Sequence, residues 1–207
     1  MIFENNYVEY SGVISEKPSF THTLGEIDFY KFKLKSQRTS GEFDEIPVVV
    51  MSTVYDANAL DVGMRISVIG NYHSYRKHFD EKPHLMLHLF AREIDLIEDA
   101  KGVDQNYVYL DGYICREPNY RETPKGKLIT DLLVAVHRTK SSSDYIPVIC
   151  WGFQATAMSE VPVGTKLKIS GRLQSREYIK VLSETEREVR IAYEVSAKTL
   201  EVEAENE

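Results

Sequence analysis

The second half of the chain repeats the first half, and this repeat limits the fold more than any other feature of the sequence. A shift of 100 residues superimposes identical residues: Asn6-Tyr7-Val8 on Asn106-Tyr107-Val108, Gly12 on Gly112, Arg38 on Arg138, and Ile46-Pro47-Val48 on Ile146-Pro147-Val148. A shift of 101 residues then superimposes Gly63, Gly70, Ser74 and Glu93 on Gly164, Gly171, Ser175 and Glu194. A unit of this length that occurs only twice is a domain rather than a solenoid repeat. The sequence therefore predicts two domains, residues 1–99 and 104–203.

Apolar residues alternate with polar ones along five segments of the second unit, and this period of two predicts β-strands. The predicted strands are residues 107–114, 128–138, 145–151, 166–178 and 187–202, with a short helix over residues 153–160. Five strands with one helix between the third and fourth are typical of the OB-fold, a small Greek-key barrel. The sequence predicts an all-β protein of two tandem OB-fold five-stranded Greek-key barrels, each with a short helix between strands three and four.

Composition excludes several other classes of protein. The chain has no apolar run as long as a membrane span, and its start lacks a basic region followed by an apolar one. Two cysteines make neither a disulfide framework nor a four-ligand zinc site. No nucleophile triad, phosphate loop or paired carboxylate spacing stands out. We therefore expect a cytoplasmic, nucleoid-associated protein that is not an enzyme, has no cofactor or metal, and does not bind membranes.

The charge of the chain is unevenly distributed. The net charge is −7, but residues 101–200 contain 15 Lys and Arg against 12 Asp and Glu. The basic residues of the second unit that we predict to contact a ligand lie in three places. Arg116, Arg121, Lys125 and Lys127 follow strand one, Arg138 and Lys140 follow strand two, and Arg172 and Arg176 lie on strand four. These are the surfaces where OB-folds commonly bind oligonucleotides.

The third predicted strand of the second unit, in the segment SDYIPVICWG, has two large rings on one face. Tyr145 and Trp151 are six residues apart, so they share a face, and Ile146, Val148 and Cys150 fill the other. Because every base has an aromatic face, an exposed ring stacks on any base. Packing of these rings into the barrel core or a domain contact is the alternative interpretation.

One extended pattern runs through the second unit. It comprises Asn106-x-Val108-x-Leu110-x-Gly112-x-Ile114, Pro118, Thr123-Pro124-x-Gly126, Ala135-Val136, Tyr145, Trp151-Gly152, Ala155, Gly164 and Gly171-x-Leu173-x-Ser175-Arg176-x-Tyr178. In this pattern the unit resembles bacterial single-stranded DNA-binding proteins, and the whole chain resembles a tandem OB-fold member of that family. The resemblance implies that bases stack on Tyr145, Trp151 and Tyr178, and that Arg176 and Arg172 contact phosphates.

The first unit matches this pattern less well. Glu45 and Met51 stand where the second unit has Tyr145 and Trp151, so we expect the first barrel to be degenerate and mainly structural. The stretch over residues 72–79 is nevertheless rich in rings and cations, which makes it a candidate secondary site.

The predicted function is sequence-independent binding of single-stranded DNA by stacking and phosphate neutralisation, which protects the strand in replication, repair or recombination. RNA stays open as a ligand, and replication or repair proteins are candidate partners. Tyr107, Tyr109 and Tyr113 lie on the outward face of strand one, which suggests a protein interface or packing on the first unit. We expect a homodimer that presents four OB-folds. The alternative function is a tandem-OB scaffold or replication-restart component that mainly binds proteins.

Overall fold

Most of the described residues fold into β-strands that belong to one continuous sheet. A computed structural model describes residues 5–79, 82–98, 104–123, 125–181, 183 and 186–203, and the side chains of residues 78, 79 and 82 lie outside this description. Pro124 of the family pattern and residues 99–103 of the predicted junction also lie outside the described residues. None of the described helices is long and apolar enough to span a membrane.

The strands are numbered in chain order. The first unit contains β1 (Asn6–Leu24), β2 (Ile27–Gln37), β3 (Phe43–Met51), β4 (Arg65–Phe79) and β5 (Lys82–Leu96), with a 3-10 turn over Ala57–Ala59. The second unit contains β6 (Asn106–Ile114), β7 (Asn119–Glu122), β8 (Leu128–Thr139), β9 (Ser142–Trp151), β10 (Lys166–Val181) and β11 (Arg187–Val202), with helix α1 over Phe153–Met158. The helix predicted for each unit is therefore an α-helix in the second unit and a single 3-10 turn in the first.

Five strands close into a barrel in each unit, which confirms the predicted all-β, tandem OB-fold architecture. The first barrel runs β1-β2-β3-β5-β4 and returns to β1, and the second runs β6-β8-β9-β11-β10 and returns to β6. The β3–β5 and β9–β11 pairings are parallel, and the other pairings within the barrels are antiparallel. Strand β7, which was not among the predicted strands, pairs with β8.

The core follows the period of two that the sequence shows. In the second barrel the buried residues of β9 include Ile146, Val148 and Cys150, and those of β6 include Val108 and Leu110. Because successive side chains of a strand point to opposite faces, burying one set turns the other set outward. This alternation decides which rings and cations of β9 and β10 are available on the surface.

The long strands β4 and β10 both bend at a glycine where another strand passes closely. A Cβ atom on Gly171 would lie 2.2 Å from the carbonyl oxygen of Ser196, and the strand pairing slips by one residue there. Gly70 occupies the same position in the first barrel, 2.1 Å from the carbonyl oxygen of Phe90. Only glycine fits such an approach, so the repeated glycines mark a bulge that both barrels need.

These two bulges correct one part of the sequence alignment. Gly70 pairs with Ala91, whereas Gly171 pairs with Ala197, so the last strands of the barrels correspond by a shift of 106 residues. The alignment of Glu93 with Glu194 is therefore wrong. The β10–β11 hairpin of the second barrel is five residues longer than the β4–β5 hairpin of the first barrel. Glu194 therefore occupies the position that His88 has in the first barrel.

The barrels are joined by antiparallel pairing of β1 with β6. Val8 lies opposite Val108, and Tyr10 lies opposite Asn106. Val8 and Val108 are equivalent positions of the repeat, so the two units are related by an approximate two-fold axis at this pair. The pairing leaves neither of these two strands with an open edge.

A buried carboxylate closes the contact between the barrels on each side of this axis. On one side, Asp144 forms an ion pair with Arg138 and accepts a hydrogen bond from the backbone N–H of Ser74 in the first barrel. The Ser74 hydroxyl oxygen in turn accepts a hydrogen bond of 2.8 Å from the backbone N–H of Tyr145. Asp144 is only 1% exposed, so it needs these partners to offset its lost hydration.

The other side has the same arrangement with the barrels exchanged. Asp44 pairs with Arg38 and accepts the backbone N–H of Ser175 at 2.8 Å, while the Ser175 hydroxyl oxygen accepts the N–H of Glu45 at 2.9 Å. Here Arg172 adds a second cation, 3.0 Å from Asp44. We call these two sets of contacts the inter-barrel clasps.

The clasps lead to a prediction about stability. Asp144→Ala leaves Arg138 and the N–H of Ser74 without their acceptor, and breaking such a buried pair costs about 3 kcal/mol. We expect a corresponding loss in the free energy of unfolding in urea. The control is Lys17→Ala, which removes only an exposed pair with Asp61 at 3.7 Å and leaves the unfolding midpoint in place. Equal midpoints for both variants would contradict the role of the clasp.

Candidate nucleic-acid interface

The outward face of β9 presents the two rings that the sequence analysis singled out. Tyr145 is 37% exposed, and Trp151 lies further along the same face and is partly buried. The Trp151 Nε1 atom donates a hydrogen bond of 3.1 Å to the hydroxyl of Ser196 on β11. The indole therefore lies against the neighbouring strand, neither sealed in the core nor fully exposed.

A cleft of about 1030 Å³ runs along this face and reaches the first barrel. It brings together five of the predicted site residues, namely Arg116, Arg121, Tyr145, Arg176 and Tyr178. The rings of Tyr145 and Tyr178 are each 37% exposed, and they come from different strands, β9 and β10. The cleft thus combines exposed phenol rings with arginine side chains.

Two of the arginines in the cleft are held by carboxylates. Arg121 Nε lies 2.7 Å from Asp131, and Arg176 Nε lies 3.5 Å from Glu194. Glu194 also accepts a hydrogen bond of 2.6 Å from Gln174, which fixes its position under Arg176. These pairs orient the guanidinium groups, and both arginine side chains stay at least 40% exposed.

Arg138 and Arg172 do not line the cleft, although both were predicted to contact DNA. Their guanidinium groups belong to the inter-barrel clasps, where they pair with Asp144 and Asp44. Desolvation on burial lowers the pKa of Arg172, and the neighbouring cation Arg38 adds to this shift. Each side chain is 36% exposed, so a phosphate contact stays a prediction for both residues.

The remaining predicted lysines lie in exposed turns outside the cleft lining. Lys125 and Lys127 lie between β7 and β8, and Lys140 lies in the turn between β8 and β9. Their roles in DNA binding also stay predictions, because exposed lysines on turns fit a solvated surface equally well.

The first barrel supplies part of the cleft wall, and this part was not predicted from the sequence. Arg76, Pro83, His84 and Leu85 of the β4–β5 hairpin line the cleft beside Tyr145. Arg76 belongs to the stretch over residues 72–79, whose rings and cations were the available signal. The sequence could not show that this hairpin faces the second barrel, because that depends on the pairing of β1 with β6.

The first barrel has rings on its corresponding face, but they lie on different strands. His73 of β4 stacks on Phe90 of β5 with ring centroids 5.0 Å apart, and His88 packs edge-on against both. Burial lowers the pKa of His73 to about 4 and that of His88 to about 3. Both rings are therefore neutral at pH 7, and they form a largely buried aromatic cluster.

The described residues contain no metal-ligand cluster at this face, and Cys115, which lines the cleft, has the pKa of its thiol raised by desolvation. No group of three or more His, Cys, Asp or Glu side chains in the described part of the chain could hold a metal ion. Cys150 is buried, and desolvation raises the pKa of its thiol to about 12.

Comparison with known proteins assigns the second barrel to a family. The model of the single-strand binding protein family matches residues 105–202. The single-stranded DNA-binding protein of Clostridium tetani is 36% identical over 80 residues, which are 35% of this chain and 55% of that protein. The chain thus spans about half the length of that relative. The single-stranded DNA-binding protein of Thermus aquaticus is 26% identical over 196 residues, covering 81% of this chain and 74% of that protein.

The solved structures extend the similarity of fold to both barrels. The crystal structure of the wild-type single-stranded DNA-binding protein from Thermus aquaticus has a TM-score of 0.74 and 23% identity, covering 98% of this chain and 94% of that one. A tandem pair of OB-fold barrels is thus the class that the fold defines. Within that class, the second barrel is similar to the single-strand binding protein family over residues 105–202.

The buried histidines of the first barrel predict that acid destabilises the protein. In the unfolded chain a histidine titrates near pH 6.5, so the unfolded state binds more protons than the folded state between about pH 6.5 and pH 3. Stability is then fully present above pH 6.5 and falls as the pH decreases, by up to about 1.4 kcal/mol per pH unit for each histidine. The measurement is the urea midpoint at pH 7 and pH 4.5.

The variant His88→Leu isolates this effect. It removes a ring whose Nδ1 atom is buried and has no hydrogen-bond partner among the described residues. We expect this variant to lose less stability than the wild type on acidification, while His22→Leu at an exposed ring loses as much as the wild type. An identical acid loss in His88→Leu and the wild type would exclude His88 as a source of the pH dependence.

Proposed function

We propose that this protein binds single-stranded DNA without sequence preference, and that the cleft of the second barrel is the binding surface. The single observation that carries this proposal is the cleft itself, where exposed Tyr145 and Tyr178 stand beside Arg176 and Arg121. Stacking on such rings contributes about 1–3 kcal/mol per base and tolerates any base. Guanidinium groups beside the rings neutralise the phosphates that connect successive bases.

The position of Trp151 makes it an extension of this surface. The indole lies on the same face of β9 as Tyr145, and its hydrogen bond to Ser196 holds it in place. A base that leaves the cleft along β9 would meet this ring next. Stacking on Trp151 requires only that one side of the partly buried indole be accessible.

The two barrels have different roles in this proposal. The second barrel, over residues 104–203, holds the strand. The first barrel, over residues 1–99, is mainly a scaffold, since Glu45 and Met51 replace the rings of β9 and Lys33 is paired with Glu45 and Glu16. The protein would act by coverage rather than catalysis, shielding single strands during replication, repair or recombination.

A homodimer completes the proposal. Tyr107 and Tyr113 of β6 are 41% and 39% exposed on the outward face of the strand that joins the barrels. Tyr7 of β1 lies beside Tyr107, with ring centroids 6.4 Å apart. Aromatic side chains are enriched at protein interfaces, so this shared face of β1 and β6 is the proposed contact between two copies that present four barrels.

The stacking surface is tested by truncating its rings. We expect Tyr145→Ala and Trp151→Ala each to weaken binding of a fluorescein-labelled oligo-dT by about 5- to 100-fold, because each removes stacking worth about 1–3 kcal/mol. The matched control is Phe43→Ala. Phe43 is an exposed ring of the first barrel, and the Lys35 Nζ atom lies 4.4 Å from its ring centroid. Anisotropy titrations give the affinities. Equal affinities for all three variants and the wild type would contradict the proposed surface.

The sole tryptophan offers an independent signal. Stacking of a base on the indole should quench the emission of Trp151 when unlabelled oligo-dT is added. Affinity should also decrease with salt, because phosphate contacts release counterions. Parallel titrations with single-stranded RNA and duplex DNA establish the ligand preference, and tight binding to the duplex alone would rule out the proposal.

A further inference from the structure

The approximate two-fold axis relates two places where the hairpin of one barrel meets the other barrel, and the side chains at these two places differ. In the cleft described above, Arg76 of β4 lies over Tyr145 of β9, with its guanidinium carbon 6.0 Å from the ring centroid. The equivalent positions of the repeat are Glu177 and Glu45. The cleft beside Tyr145 therefore has a cation and a ring at positions where the symmetry-related place has two carboxylates.

The symmetry-related place carries ion pairs instead. Lys33 of β2 lies 3.5 Å from Glu45 and 3.1 Å from Glu16, so its charge is already neutralised. Tyr193 of β11 lies close to the same group, and burial raises the pKa of its phenol. Lys33, Glu45 and Glu16 thus form an ion-pair cluster on this side of the two-fold axis. Glu177, on the same side, is exposed and adds a negative charge.

Arg76 differs from Arg121 and Arg176, two other arginines of the open cleft. Arg121 and Arg176 pair with carboxylates, whereas Arg76 forms no ion pair with any carboxylate in the described part of the chain. Its side chain is exposed, and its distance from Tyr145 lies at the outer limit of a cation–π contact. Its charge is thus available to a ligand in the cleft.

The inter-barrel clasp fixes Arg76 relative to Tyr145. Ser74, two residues before Arg76, accepts the backbone N–H of Tyr145 and donates its own N–H to Asp144. The cation and the ring therefore belong to one rigid arrangement, although they come from different barrels. Further out, Arg190 of β11 donates a hydrogen bond of 3.4 Å to His84 of β5, which ties the two hairpins together.

From this arrangement we infer that Arg76 is a phosphate-binding residue, supplied by the first barrel to the cleft of the second. A base stacked on Tyr145 has its phosphate within reach of the Arg76 side chain, which bears a permanent charge. The strand is then held between the barrels, and the first barrel contributes directly to binding. This inference rests on the proposed function and adds to it a residue in the domain that the sequence marks as structural.

The test compares the two positions related by the approximate two-fold axis. In oligo-dT titrations at several salt concentrations, Arg76→Ala should weaken binding about fivefold at low salt and reduce the slope of log K against log salt by about 0.7. Glu177→Ala, the matched control, should leave that slope unchanged. Arg76→Lys should restore most of the slope, because it keeps the charge. Thermal melting verifies that each variant folds like the wild type.

The outcomes separate the inference from the proposed function. If the wild type binds oligo-dT and Arg76→Ala binds with the same affinity and salt slope, the inference is overturned and the proposed function stands. If Arg76→Lys fails to restore the slope, the charge of Arg76 is not the contributing feature and the inference is again overturned. If the wild type binds no single-stranded DNA, the proposed function fails and the inference fails with it.

Discussion

The antiparallel pairing of β1 with β6 is the contact on which the rest of the structure depends. Because Val8 faces Val108, each barrel meets the equivalent surface of the other. This pairing brings the β4–β5 hairpin of the first barrel against the β8–β9 hairpin of the second. In the same way, the β10–β11 hairpin of the second barrel lies against the β2–β3 hairpin of the first. Asp44 and Asp144 can be buried only because that approach supplies backbone N–H donors from Ser175 and Ser74. A carboxylate taken out of water without such donors would cost far more than it contributes.

The proposed function gives the two barrels different roles, and a symmetric junction with asymmetric surfaces makes such a division possible within one chain. The arginine and aspartate at the centre of each clasp are the same in both units, as Arg38 and Arg138 illustrate, although one of the clasps has the additional Arg172. The residues that point away from the junction differ, and Tyr145 faces solvent where the first barrel has Glu45. Outward positions make few contacts within the fold, so they can change without loss of stability. The junction is therefore common to both units, and the binding surface is not.

The sequence determined the strands well because their signal is local. Alternation along β6 and β9 depends only on neighbouring residues, and the closed barrels follow from it. The site was less predictable, since the partner of a side chain can be far away in sequence. Arg172 pairs with Asp44 across 128 positions, so nothing near Arg172 marks it as part of a clasp. The pair of Arg138 and Asp144 did leave a signal, because the repeat contains the same pair at positions 38 and 44.

Net charge is a poor guide to what this protein binds, because charges act over short distances in salt. At physiological ionic strength exposed charges are screened beyond about 8 Å, so acidic residues elsewhere hardly affect a ligand in the cleft. Among the described residues that line the cleft, four arginines face two carboxylates, and the local balance is positive. The net charge of −7 instead weakens the long-range attraction of a polyanion. In the proposed function, affinity then comes mostly from contacts made after encounter, and stacking on the rings of Tyr145 and Tyr178 is the main proposed contribution.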